Sequence, residues 1–173
     1  SAYLCGDHQR ATPLLSVLVS ESTVPSNKAN AYRVQMKVAI AQNRPEQAID
    51  FAHLGLREIG YDTPRHVSKL RAYATLRLLL FSLRNFDGHE RQFVGSKKSP
   101  VARDATLILA NLINAASQSG NVDIAIYVSG MLRISLKNNE VAEAACALCF
   151  FAVAVKTFFG DIDEAYRLGK IAI

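Results

Sequence analysis

No tryptophan occurs in this 173-residue chain, and the residues that interrupt helices are few, with five prolines and nine glycines. Long stretches consist instead of Ala, Leu, Ile, Val, Lys, Arg and Glu, with few of the alternating apolar and polar runs that are typical of strands. Half of the residues are apolar and a fifth are charged, a composition that excludes a disordered chain. We therefore expect an all-α fold.

Cysteine is also scarce, and the three that occur are Cys5, Cys146 and Cys149. An odd, sparse set argues against a disulfide scaffold and favours a reducing, cytoplasmic compartment. Cys146 and Cys149 form a C-x-x-C, but this spacing is also one helical turn and the flanking residues are apolar. A metal or redox role would need further ligands or partners that the sequence does not show, so we expect two buried core thiols.

No signal peptide is visible at the start of the sequence, although a fragment could have lost one, and no long apolar run occurs. Its most apolar segment, "AACALCFFAVAV" over 144–155, is shorter than the roughly 20 residues that span a membrane, which predicts a buried helix and no membrane association. The sequence starts without Met and ends inside an apparent amphipathic helix, so we expect one helical domain over residues 1–173 that is a fragment of a longer protein.

One short pattern recurs, a Gly or Asn followed five residues later by an Ala. Its successive Ala residues lie 37, 77 and 40 positions apart, so the middle interval is close to twice the others. The spacing predicts a repeat of about 38 residues, in the range of solenoids built from helix pairs, with one unit lacking the pattern. The pattern occurs at Gly6 and Ala11, Asn43 and Ala48, Gly120 and Ala125, and Gly160 and Ala165.

Each residue of the pattern has a physical role in a helix-turn-helix unit. Gly or Asn ends the first helix because it tolerates the left-handed conformation found there. Asp161 is suited to cap the next helix and Pro45 to occupy its first turn. A small Ala lets the two helices approach closely, so we expect Ala48, Ala125 and Ala165 to be buried at equivalent crossings.

The periodicity predicts four helix pairs. Residues 85–100, "NFDGHERQFVGSKKSP", contain two Gly and a Pro, which predicts an irregular segment, either a loop or a distorted, short helix, in place of one second helix. The first helices are predicted at 26–42, 63–84, 101–119 and 139–159, and the second helices at 8–20, 45–59, 121–136 and from 161 onward.

With these units the chain resembles the tetratricopeptide superfamily, although its period exceeds the usual ~34 residues and the aromatic and Leu-Gly signature is absent. The segments "EQAIDFAHLGLREIGYDTP", "GNVDIAIYVSGML" and "FFGDIDEAYRLGKIA" are similar to the helical region that follows the AAA-type ATPase module of multidomain serine/threonine and histidine sensor kinases. The resemblance implies stacked antiparallel helix pairs in a right-handed α-solenoid and carries over no catalytic residue.

Nothing in the sequence specifies a reaction. The four histidines are scattered without metal-ligand spacing, and "GSKKS" over 95–99 lacks the first Gly and the preceding strand of a phosphate loop. We expect no enzyme activity, no cofactor and no metal. Ser99 precedes Pro100 in a basic context, and whether it is phosphorylated stays open.

The net charge of +5 raises the question of nucleic-acid binding. The cations are spread along the chain, and no basic motif interleaved with aromatic residues occurs, so a mild attraction to acidic partners is the better interpretation.

Two functions fit the sequence. The first is a non-enzymatic scaffold that binds either a protein segment, which can be acidic, or a neighbouring domain along the concave groove of first helices. The second is a regulatory helical segment of a multidomain signalling ATPase or kinase, inactive by itself; the sequence does not indicate the oligomeric state of either. The predicted contacts are Arg33 and Lys37, four residues apart, and Asn111 and Asn114, three apart.

Overall fold

A computed structural model describes residues 8–84, 99–138 and 141–172. Side chains are described except at residues 8–12 and 141. The described residues contain eight α-helices and no strand, which confirms the all-α prediction. The predicted irregular segment at 85–100 lies outside the described residues except for Ser99 and Pro100, which begin a helix. The helices are α1 (His8–Glu21), α2 (Pro25–Ala41), α3 (Pro45–Glu58), α4 (Lys69–Ser82), α5 (Pro100–Gln118), α6 (Ile124–Lys137), α7 (Val141–Phe159) and α8 (Ile162–Ile171).

The turns inside the helix pairs adopt the predicted conformation. Asn43, Gly120 and Gly160 have positive φ angles of 57°, 65° and 68° and separate α2 from α3, α5 from α6 and α7 from α8. Left-handed residues end the first helix of each pair and reverse the chain. Pro45 starts α3, and Asp161 caps α8 by accepting a 3.0 Å hydrogen bond from the Glu164 amide.

Small residues lie where the paired helices cross. Ala48 and Ala125 are fully buried, as predicted, whereas Ala165 is only partly buried because α8 lies at the end of the described array. Gly55 is also buried, and a Cβ there would lie 3.1 Å from the Tyr32 Cβ and 3.2 Å from the Ile108 Cδ1. Helices α2, α3 and α5 therefore meet closely around this glycine.

The pair of α2 and α3 packs directly on α5, and the pair of α5 and α6 packs on α7. Helix α4 contacts α6 and α7, and it contacts neither α3 nor α5. The predicted start of this helix at residue 63 is therefore wrong, and α4 does not pack between α3 and α5 as the next unit of a stack would. The segment predicted in place of its partner helix lies outside the described residues. Residues 62–67 are not helical, and α4 begins later because Ser68, whose side chain accepts a hydrogen bond from the Arg71 amide, is its N-cap.

Candidate functional site

The predicted contact residues of α2 lie on its partly exposed face. A guanidinium nitrogen of Arg33 donates a 2.9 Å hydrogen bond to the Asn30 Oδ1, while the Arg33 Nε is buried without a partner. Lys37 is also partly exposed, and it forms no ion pair or hydrogen bond with any described residue. No carboxylate of the described chain neutralises these two cations.

The predicted contact residues of α5 are engaged within their own helix. The Asn111 Nδ2 donates a 2.7 Å hydrogen bond to the Leu107 carbonyl, and the Gln118 Nε2 lies 3.4 Å from the Asn114 Oδ1. Asn114 is exposed and Asn111 partly exposed, on the side of α5 opposite its buried residues. The acceptor of Asn111 and the amide nitrogen of Asn114 remain available for a ligand.

Helices α2 and α5 contact each other, so the two predicted pairs lie on neighbouring helices. Among the described residues, no hydrogen bond or ion pair links the pair on α2 to the pair on α5. We call the exposed sides of α2, α5 and α7 the first-helix surface; its residues include Arg33, Lys37, Asn111, Asn114, Cys146 and Cys149.

The two cysteines of α7 correct a prediction, because both are exposed rather than buried in the core. The buried side of α7 carries Ala147, Phe151 and Val155, and the helical period places Cys146 and Cys149 on the other side. Partial burial raises the pKa of the Cys146 thiol, and the charge of the neighbouring Cys149 thiolate raises it further. A raised pKa leaves less of the reactive thiolate at neutral pH.

A buried chain of polar side chains connects α3 to α6. The Thr63 Oγ1 lies 2.9 Å from the His53 Nδ1, and the His53 Nε2 lies 3.1 Å from the Tyr127 Oη. The carboxylate of Asp123 acts on the Tyr127 hydroxyl and helps to raise its pKa. Two arrangements of protons satisfy the two contacts of His53: Thr63 donates to Nδ1 while Nε2–H donates to Tyr127, or Nδ1–H donates to Thr63 while Tyr127 donates to Nε2.

Asp123 is the end point of this chain and is 1% exposed. Its two carboxylate oxygens accept hydrogen bonds of 2.7 Å from the His66 amide and 2.8 Å from the Val67 amide. His66 has a φ of 54°, a left-handed conformation that is costly for a residue with a side chain. The carboxylate therefore holds a strained turn of the 59–68 connection against the start of α6.

The pKa values of these hydrogen-bonded side chains favour a structural role. Burial, aided by the Arg65 charge, lowers the pKa of His53 from 6.5 to about 4, so the imidazole is neutral near pH 7. Burial and the Asp123 charge raise the pKa of the Tyr127 hydroxyl above its ordinary value. Tyr127 is fully buried, so no substrate reaches its oxygen. We call Thr63, His53, Tyr127 and Asp123 the polar latch.

The sequence patterns do not predict the polar latch. The four histidines are scattered along the sequence, and the segment that holds Asp123 and Tyr127 indicates only a repeat. A signal was present, because His53 and Tyr127 occupy positions where the helical period predicts burial. Polar side chains at buried positions need hydrogen-bond partners, and such partners can come from distant segments.

An open groove of about 580 Å³ lies between the second half of α4 and the start of α8. The Arg167 guanidinium connects α8 to the end of α4 beside this groove, since it donates to both carboxylate oxygens of Glu164, at 2.6 and 2.8 Å, and to the Leu83 carbonyl at 3.1 Å. The groove is lined by Arg77, Leu78, Leu80, Phe81, Arg84, Asp161 and Glu164.

Two further features of the described ranges bear on the expectations for metal and membrane binding. No group of three or more His, Cys, Asp or Glu residues within 8–84, 99–138 and 141–172 could hold a metal ion. One helix of these ranges, over Ala142–Phe159, is long and apolar enough to cross a membrane, with a mean hydropathy of 1.7 and 39% of the segment buried. Core helices pass the same test, so the absence of membrane association stays a prediction.

Comparisons of the chain with protein-family models, with curated proteins and with solved structures find no match.

Proposed function

We propose that this protein is a non-enzymatic scaffold that binds an extended segment of a partner protein along the first-helix surface. The observation that carries the proposal is the pair of cations on α2. Arg33 and Lys37 lie four residues apart on one side of the helix, and no described carboxylate pairs with either. Cations placed in this way attract a ligand that supplies carboxylates.

The neighbouring helix supports the same proposal. Asn114 and the partly exposed Asn111 present amide groups on α5, which contacts α2, and such groups can pair with the backbone of an extended ligand. A partner segment with carboxylates near α2 and free backbone groups near α5 would match both the cations of α2 and the amides of α5. The polar latch does not compete as a reactive site, because its central groups are buried and hydrogen-bonded to each other.

The proposal is tested by reversing the two charges with Arg33→Glu and Lys37→Glu in one variant. Both residues are partly exposed, so the variant should retain the helicity and the melting temperature of the parent. Proteins retained from a lysate by the immobilised parent and by the variant are then compared by quantitative mass spectrometry. We expect the most acidic partners to be depleted at least about tenfold.

The matched control reverses two cations outside the first-helix surface, with Arg57→Glu on α3 and Arg133→Glu on α6. Both side chains are exposed, so this variant has the same net charge as the test variant. If both double variants lose the same partners, binding follows net charge and not the first-helix surface. An unchanged partner set for Arg33→Glu with Lys37→Glu would remove the proposal.

A further inference from the structure

Helix α4 presents an apolar side to solvent. Leu70, Leu78 and Phe81 are 79%, 67% and 76% exposed, and they lie on one side of the helix with the exposed Ala74. The opposite side carries the buried Ala72, Leu76 and Leu79 that pack on the array. Large apolar side chains that share one exposed helix side are a common feature of protein interaction sites.

The charges around this side have one sign. Residues 69–84 contain Lys69, Arg71, Arg77 and Arg84 and no Asp or Glu. The guanidinium of Arg77 lies 4.6 Å from the centre of the Phe159 ring, which holds it at the edge of the groove. The apolar surface of α4 is therefore flanked by cations.

The two carboxylates on the opposite wall of the groove are already engaged. Asp161 caps α8, and both oxygens of Glu164 accept hydrogen bonds from Arg167. Glu164 is therefore balanced by Arg167, and a ligand meets the two positive charges of Arg77 and Arg84 against the one negative charge of Asp161.

We propose that the α4–α8 groove binds an amphipathic helix of a partner protein, with apolar side chains against Leu78 and Phe81 and carboxylates against Arg77 and Arg84. A groove of about 580 Å³ accommodates a few large side chains of such a helix. A second copy of this chain fits less well, because a symmetric contact of α4 with α4 brings like charges together. A bilayer fits less well, because the groove is concave and a bilayer surface is flat. This surface is separate from the first-helix surface, and its test does not depend on the scaffold proposal.

The probe is a labelled synthetic helix of about 18 residues with Leu at i, i+3, i+4 and i+7 and Glu on both flanks. Its partner probe has Lys in place of every Glu. Binding of each probe to the intact chain is measured by fluorescence anisotropy at low and at high salt. We expect the Glu probe to bind at least about tenfold more tightly than the Lys probe, with the difference reduced at high salt.

Variants of the chain locate the binding. Leu78→Ser with Phe81→Ser should weaken binding of the Glu probe at least about tenfold, and Arg77→Gln with Arg84→Gln should remove most of the salt dependence. The matched control is Leu14→Ser on α1, since Leu14 is 66% exposed and Leu78 is 67% exposed. The control should bind like the parent.

Several outcomes would overturn this proposal. They are equal binding of the two probes, no binding of either probe, or no effect of the α4 variants. Competition by phosphatidylserine vesicles that requires Leu78 and Phe81 would assign the surface to a membrane. Dimers in sedimentation that Phe81→Ser dissociates would assign it to a second copy. Probe binding only after a Gly-Ser linker replaces residues 87–96 would show that the chain covers the groove itself.

Discussion

Helix α5 buries nine of its side chains, whereas α4 buries three. The α5 side chains pack against α2, α3, α6 and α7, so this helix is held along its whole length by apolar contacts. Helix α4 packs on α6 and α7 through a narrower apolar side, and polar contacts hold both of its ends, from Asp123 to the preceding connection and from Arg167 to the Leu83 carbonyl. The repeat pairs therefore depend on close apolar packing, whereas the attachment of α4 combines fewer apolar contacts with buried or partly buried polar contacts.

Asp123→Ala tests the role of the polar contacts of α4 and should have the largest effect. The change leaves the buried amide of Val67 and the neighbouring amide of His66 without an acceptor, because the Asp123 carboxylate binds both. We expect the free energy of unfolding to fall by about 3–5 kcal/mol in urea denaturation. The control is Asp161→Ala, which removes an exposed helix cap and should cost about 1 kcal/mol. Equal losses in the two variants would contradict the role given to the polar latch.

Lowering the pH should have the second largest effect, because it weakens the polar latch that attaches α4. The pKa of His53 is about 4 in the fold against 6.5 when unperturbed, so the unfolded chain binds the extra proton first as the pH falls. Stability is therefore full above pH 6.5 and decreases toward pH 4, by about 3 kcal/mol from this group. Urea denaturation across this range measures the loss. The same series on His53→Gln should have a shallower slope, and parallel slopes would exclude His53 as the cause.

A packing change tests the repeat pairs in the same way. Ala125 is fully buried at the crossing of α5 and α6, so Ala125→Leu should overpack it and lower the free energy of unfolding by about 1–3 kcal/mol. Ala74→Leu makes the same chemical change on the exposed side of α4, where we expect less than about 0.5 kcal/mol. If thermal melting shows similar effects at both positions, Ala125 does not lie at a close crossing.

Two glycines give the smallest contrast. Gly169→Ala on α8 meets no atom within 4 Å of the new Cβ, so the better helix propensity of Ala should raise stability by up to about 1 kcal/mol. Gly55→Ala meets the Tyr32 Cβ at 3.1 Å and the Ile108 Cδ1 at 3.2 Å. This contact should cancel or reverse the gain in a thermal melt. A Gly55→Ala protein that is stabilised as much as Gly169→Ala would mean that the three helices can move apart easily.

The sequence predicted the helix pairs because their determinants are local. The residue that ends one helix, Asn43, Gly120 or Gly160, and the small Ala that follows lie within a few positions of each other. The helix bounds agree within three residues for every element except α4. The predicted start at Thr63 was wrong because Asp62, Thr63 and Pro64 have the composition of a helix start, while the Thr63 hydroxyl is used by His53.

The position of α4 could not be predicted from local patterns. It depends on Asp123, which lies 56 and 57 residues from the two amides it binds. The exposure of Cys146 and Cys149 was missed for a related reason, because α7 is apolar on both sides and its composition does not indicate which side packs. The candidate contacts Arg33, Lys37, Asn111 and Asn114 were placed on exposed or partly exposed helix sides by the same local pattern, and their binding role stays a prediction.

The wide separation of Asp123 from the connection it holds also affects the order of folding. Contacts inside a helix pair join residues near each other in the chain and cost little loop-closure entropy, while the Val67 contact closes a loop of 56 residues. We expect the pairs to form before the transition state for folding and α4 to dock after it. Asp123→Ala should then accelerate unfolding and leave the refolding rate nearly unchanged, as stopped-flow measurements in urea would record.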